Sequence, residues 1–121
     1  MDSEKLTIQE VKAGREGEQV LKLAGPLLLT TLFELRDTLR ATTAPLLILD
    51  LTEVPYMDSA GLGVLVNAHV SCVNRGRRLA LAGPADRVRT LLAVTHVDQV
   101  LAVFPSLQEA EEAAAKASPV P

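Results

Sequence analysis

A chain of 121 residues is one domain by length, and a domain of that size buries roughly two-thirds of the surface its unfolded chain exposes. Apolar residues make up 48% of it but aromatic residues only 2%, so the core is aliphatic and base stacking on aromatic platforms is excluded. Twelve Lys and Arg against fifteen Asp and Glu leave a net charge of −3, which lacks the basic field that nucleic acid or an anionic membrane requires. Cys72 stands alone, so no internal disulfide or cysteine-rich metal site forms, and the sequence fits a reducing compartment. The opening MDSEKLTIQE has no basic segment followed by an apolar one, and no stretch approaches about 18 uninterrupted apolar residues. These features predict a soluble, cytoplasmic protein with no membrane and no nucleic-acid partner.

In chain order, Leu6 to Val11 alternates as L-T-I-Q-E-V and Val20 to Leu23 as V-L-K-L, with a charged Gly-containing turn between them. That pattern predicts an antiparallel hairpin ended by Gly25 and Pro26. Thr31 with Glu34 has the capping-box spacing for a helix carrying Leu32, Leu35 and Leu39 on one face. Leu46 to Leu49, followed by Asp50, reads as a strand covered on both faces, the usual state in a parallel sheet. Pro55 pushes Val54 towards extended geometry, so Val54 to Met57 is expected to be loop. Asp58 and Ser59 are both good N-cap types for a helix that starts near Ala60 and runs to about Arg75. Its inward stripe is expected to be Leu62, Leu65, Val66, His69 and Val73, the helix is apolar enough on most sides to be deeply packed, and Gly76 suits the left-handed position past its end.

Arg78 to Ala82 is a short strand, and Gly83 with Pro84 opens a helix that turns Val88, Leu91 and Leu92 inward. Val100 to Phe104 reads as the last strand. Pro105 breaks it, and Ser106 with Glu109 caps an Ala-rich helix reaching about Ala117, after which SPVP frays. The order predicts an α/β fold, a mixed, mostly parallel sheet of about five strands with an N-terminal hairpin, four helices and right-handed crossovers. Residues 1–117 are expected to form one domain and 118–121 a disordered tail; no linker, internal repeat or low-complexity segment is evident in the sequence.

Enzyme chemistry finds little footing. A hydrolase nucleophile elbow needs GxSxG, but Met57 stands where the first glycine belongs. His69 and His96 are the only candidate bases, and His69 lies roughly 15 Å along the helix from Ser59 at a rise of 1.5 Å per residue. A P-loop, a GxGxxG and metal-ligand spacing are all absent, and Gly61 with Gly63 alone is a weak signal, so no catalytic residue, metal or cofactor is expected. A helix start can carry Asp or Ser merely as a cap. Around Ser59, however, Tyr56, Met57 and Leu62 crowd an exposed turn, and Ala60, Gly61 and Gly63 leave the backbone open to close approach. Core packing is expected to claim at least one of those three apolar residues, and close helix packing is the plain alternative for Gly63. The remainder reads as a docking surface beside a hydroxyl that meets unpartnered amides and a positive dipole end.

The stretch LILDLTEVPYMDSAGLGVLV resembles the STAS-domain family, in particular its stand-alone anti-sigma factor antagonists. LAGPLLLTTLFELRDTL and VDQVLAVFPSLQEA resemble that family's second strand with first helix and its final strand with final helix. The resemblance implies the STAS fold and a partner-switching role. Unphosphorylated protein would bind an anti-sigma factor serine kinase and free the sigma factor; phosphorylation on Ser59 would release it until a PP2C-type phosphatase resets the cycle. The implied partner-binding residues are Tyr56, Met57, Asp58, Ser59, Ala60, Gly61, Leu62 and Gly63, with weak homodimerisation left open. Two positions depart from the family pattern: Leu28 replaces the acid of a GELD motif, and Ala60 replaces a frequent second serine. The missing acid keeps a second reading in view, a non-switching STAS scaffold or adaptor subunit of a stress-signalling complex or a lipid-transport ATPase.

Overall fold

The computed structural model describes residues 5–116, with side chains described as far as residue 114. Strands β1 (Thr7–Val11) and β2 (Glu18–Ala24) form the antiparallel hairpin, paired from Thr7 with Ala24 to Val11 with Val20. There follow α1 (Phe33–Ala41), β3 (Leu46–Glu53), α2 (Ser59–Asn74), β4 (Arg78–Ala82), α3 (Asp86–Val94), a 3₁₀ turn (Val97–Gln99), β5 (Ala102–Phe104) and α4 (Leu107–Lys116). The sheet order is β1-β2-β3-β4-β5, and every pair after the hairpin is parallel. The expected tail and the last residue of the expected terminal helix, Ala117, lie outside the described residues.

Central strands with apolar side chains on both faces must be covered on both, and the helices divide accordingly. Leu47, Leu49 and Leu51 of β3 join Leu79 and Leu81 of β4 beneath Leu35 of α1, Leu62 and Leu65 of α2, and Val88 and Leu92 of α3. On the opposite face Leu46, Ile48, Ala80 and Ala82 meet Ala110, Leu107 and Ala114 of α4. Alanine at these α4 positions lets the helix backbone lie close to the sheet. Gly25 ends β2 with φ +108°, and a Cβ there would overlap the Lys5 carbonyl oxygen, so glycine is required for the chain to leave the hairpin.

Three expectations change. The Thr31 hydroxyl does not cap α1: it donates to the Pro26 carbonyl and accepts from the Leu28 amide, both at 2.8 Å, so it organises the loop before the helix, and Leu32 sits at the N-cap with no side-chain bond. The inward stripe of α2 is rotated, with Gly61, Leu62, Leu65 and Cys72 buried and Val70 and Val73 about half exposed, so the helix is covered on one side only. The last strand begins at Ala102, because the amides of Val100 and Leu101 both donate to the Val97 carbonyl and cannot join a ladder. The Ser106 cap does form, its hydroxyl accepting from the Glu109 amide at 3.1 Å, and Gly76 has φ +71°.

The hairpin turn and α4 meet at a pair of acids. Glu18, whose side chain is 2% exposed, lies 3.3 Å from the Arg15 guanidinium, while Glu111 accepts from the Gly14 amide at 3.2 Å. Burial, and then the Glu111 charge, raise the Glu18 carboxyl above its ordinary value. An acid with a raised folded pKa opposes folding once both states are ionised, and the penalty fades as pH falls towards its unfolded value near 4.3. Glu18→Gln is therefore expected to raise the melting temperature at pH 7, with the gain gone near pH 4. Equal melting of the two proteins at pH 7 would contradict this account.

Candidate functional site

β3 delivers the chain to its C-terminal edge, where parallel α/β sheets present their functional loops. There Thr52 bonds Asp50 through both its amide (3.0 Å) and its hydroxyl (2.7 Å), and the Val54 amide turns back to the Leu51 carbonyl at 3.0 Å. The next residues form a short rung beside Leu27: the Leu27 amide donates to the Tyr56 carbonyl (3.1 Å), the Asp58 amide donates to the Leu27 carbonyl (3.2 Å), and Met57 bridges Leu27 in parallel. The approach to α2 is therefore tied to Leu27 by ladder-like main-chain bonds.

Asp58, not Ser59, is the N-cap. Its extended backbone lets Oδ1 accept from the Gly61 amide at 2.9 Å, while Oδ2 accepts from the Leu29 amide at 3.0 Å. Those bonds, the one from Leu29 foremost, hold the Asp58 carboxyl below the ordinary carboxylate range. Ser59 follows as the first helical residue. Its side chain is exposed, and its hydroxyl makes no hydrogen bond among the described residues. Gly61 is buried against Leu27 and has to be glycine, because a Cβ there would overlap the Leu27 carbonyl oxygen and lie 2.8 Å from Leu27 Cγ, whereas a Cβ on Gly63 would meet nothing within 4 Å. Gly63 is therefore not explained by close packing.

The eight residues that the sequence groups at this turn divide in two. Met57, Gly61 and Leu62 are buried and belong to the core side; Ser59 is exposed, and Tyr56, Asp58, Ala60 and Gly63 are half-buried. Tyr56 carries the Arg87 guanidinium 4.9 Å above its ring. Exposed apolar surface comes instead from two residues the sequence reading passed over, Leu29 (59% exposed), whose amide holds Asp58, and Phe33 (49% exposed) at the start of α1. The available signal was Phe33 lying off the stripe of Leu32, Leu35 and Leu39. Leu28, at the position of the absent acid, is half-buried with its amide bound to Thr31. His69 and His96 sit far along the chain, one in the later half of α2 and the other at a positive φ of 64° after α3.

Removing the cap has a defined cost. Asp58→Ala is expected to lower folding stability by about 0.5–2 kcal/mol, with Asp58→Asn closer to wild type because its amide oxygen still accepts. The pH dependence carries a definite sign: a depressed folded pKa gives stabilisation that is complete above the unfolded value near 3.9 and is lost as pH falls through the folded one. Denaturant titrations of wild type and Asp58→Ala should therefore converge in acid, and a constant gap from pH 7 to pH 2 would refute the assignment.

Comparison with known proteins identifies the family of this fold. The STAS domain model matches residues 11–110. The anti-sigma-B factor antagonist of Listeria monocytogenes is 44% identical over 55 residues, which are 46% of this chain and 48% of that protein, so the chain spans about half the length of this curated relative. An anti-sigma factor antagonist from Mycobacterium paratuberculosis superposes with a TM-score of 0.79 at 21% identity, covering 89% of this chain and 92% of the other. The unphosphorylated form of the antagonist SpoIIAA gives 0.73 at 18% identity over 93% and 100%. A sulfate transporter family protein from Wolinella succinogenes gives 0.73 at 26% over 87% and 90%. Helix count and the mixed five-stranded sheet agree with the match over most of the sequence: the chain belongs to the STAS-domain family.

Proposed function

We propose that the protein is an anti-sigma factor antagonist that switches partners by phosphorylation of Ser59. The observation that carries this reading is the division of labour at the turn: Asp58 satisfies the helix cap, which leaves the adjacent Ser59 hydroxyl exposed and unbonded. A serine that capped its own helix would have to give up that bond to react. The likeness to proteins named as antagonists supports the role. In this reading a serine kinase that inhibits a sigma factor docks on Leu29, Phe33 and the open backbone at Gly63, and a PP2C-type phosphatase regenerates the free hydroxyl, all in the cytoplasm. Among the described residues no helix is long and apolar enough to cross a membrane. The protein itself acts by binding and not by catalysis.

Phosphorylation adds about −1.5 to −2 charges next to the ionised Asp58. The helix dipole returns only about 0.3–2 kcal/mol, and the fold survives because the phosphate remains in water. Against a partner the same phosphate must be desolvated beside a carboxylate, and a penalty of about 2.7 kcal/mol is already a hundredfold in affinity.

Incubation with a purified anti-sigma kinase and ATP should place one phosphate on wild type and none on Ser59→Ala. Ser59→Asp should melt like wild type yet bind the kinase about a hundredfold more weakly. Wild-type affinity in Ser59→Asp, or phosphate on another residue, would defeat the proposal in favour of a scaffold in which Ser59 is only a helix residue. The two glycines separate fold from docking. Gly63→Ala, in a helix interior with room for the methyl group, is expected to stabilise the fold by about 0.5–1 kcal/mol while weakening kinase binding; Gly61→Ala should destabilise the fold outright.

A further inference from the structure

The chain has two Phe, one Tyr and no Trp, and of these only Phe33 is exposed; Tyr56 and Phe104 are half-buried. The Arg36 guanidinium lies 5.0 Å over the Phe33 ring. The two residues stand three apart on α1, and the cation held against the ring fixes both side chains in one arrangement. Arg36 forms no ion pair and no side-chain hydrogen bond among the described residues, although Glu34 and Asp37 are close in sequence. Its five N–H donors are therefore open to a visitor. Leu29 carries this surface to the Ser59 turn, since its side chain is exposed and its amide donates to Asp58 Oδ2 at 3.0 Å. Between Leu29 and Phe33 the backbone is closed on itself: the Thr31 amide donates to the Leu28 carbonyl at 2.9 Å, and the Leu28 amide to the Thr31 hydroxyl at 2.8 Å. Leu32 then joins this loop to α1, its carbonyl accepting from the Arg36 amide at 2.9 Å. Leu29, Phe33 and Arg36 are thus displayed on backbone that needs little further ordering when a partner binds.

Aromatic side chains and arginine are the types that most often dominate the energy of a protein interface. A ring backed by a guanidinium calls for two things from whatever covers it, an apolar pocket for the ring and a carboxylate for the fork of N–H groups. We infer that Phe33 and Arg36, with Leu29 beside them, are the specificity anchor for the serine kinase that acts on Ser59, whose docking surface carries an apolar pocket rimmed by a carboxylate. This anchor rests on the partner-switching reading, because a kinase that reaches the Ser59 hydroxyl must pass over the backbone at Asp58, to which Leu29 is bonded. A carboxylate on that surface would also add like charge against a phosphate on Ser59 and so sharpen release. The competing occupant is a second copy of this chain.

The test uses the whole unphosphorylated chain and a purified anti-sigma kinase, with affinity measured calorimetrically at several salt concentrations and phosphate on Ser59 read by mass spectrometry. Phe33→Ala and Leu29→Ala should each bind at least about fivefold more weakly, and Arg36→Glu at least about tenfold. Arg36→Gln should flatten the salt dependence of binding, whereas Arg36→Lys should keep it, a distinction that a purely packing role would not produce. All these positions are exposed, so the variants should melt near wild type, and Val94→Ala, an exposed apolar position at the end of α3, should bind as wild type does. Undiminished binding by Phe33→Ala and Arg36→Glu, an unchanged salt slope in Arg36→Gln, or an equal loss in Val94→Ala would overturn the anchor while leaving Ser59 phosphorylation standing. Absence of phosphate on Ser59 would overturn both readings together. A wild-type dimer in sedimentation that Phe33→Ala converts to monomer would assign this surface to a second copy and overturn the kinase anchor.

Discussion

The carboxylate of Asp58 joins two parts of the chain that are distant in sequence, the first turn of α2 through Gly61 and the loop before α1 through Leu29. Each oxygen satisfies one amide that would otherwise lack a partner. Because both acceptors belong to one small planar group, the loop and the helix start cannot shift independently. The rung between Leu27 and the Tyr56–Asp58 segment reinforces the same alignment, and Gly61 admits the Leu27 carbonyl where any side chain would exclude it. The hydroxyl of Ser59 is presented by this rigid frame and contributes no bond to it.

That separation of tasks suits a covalent signal. A residue that carries structure and signal together would change the fold whenever the signal changed. Here the cap, the rung and the apolar floor formed by Met57 and Leu62 make no use of the neighbouring Ser59 oxygen.

Much of this architecture is legible in the sequence where one physical requirement dominates. The unbroken run Leu46 to Leu49 and the short R-L-A-L-A segment have no amphipathic alternative, and both are central strands. Asp58 and Gly76 bracket α2 because capping and left-handed backbone are demands that few residues meet. The position of the turn before α2 is legible for the same reason. Failures arise where two arrangements satisfy the sequence equally. With Val66, Val70 and Val73 beside Leu62, Leu65 and Cys72, α2 offers two apolar stripes, and only packing against the sheet selects one. Thr31 can cap a helix or close a loop with the same hydroxyl. Apolar residues in a turn can face in or out, so Met57 and Leu62 could not be told from Leu29 and Phe33 without coordinates.

The brevity of β5 bears on how such a protein meets its neighbours. Only Ala102 to Phe104 pair with β4, and the backbone just before them is folded into its own 3₁₀ turn. At the other margin, β1 places Gln9 and Glu10 among its five residues. Neither border offers a long, flat, apolar ribbon on which a foreign chain could be stitched by main-chain bonds. Helix ends and loops, where recognition rests on side chains, are therefore the surfaces left for contact.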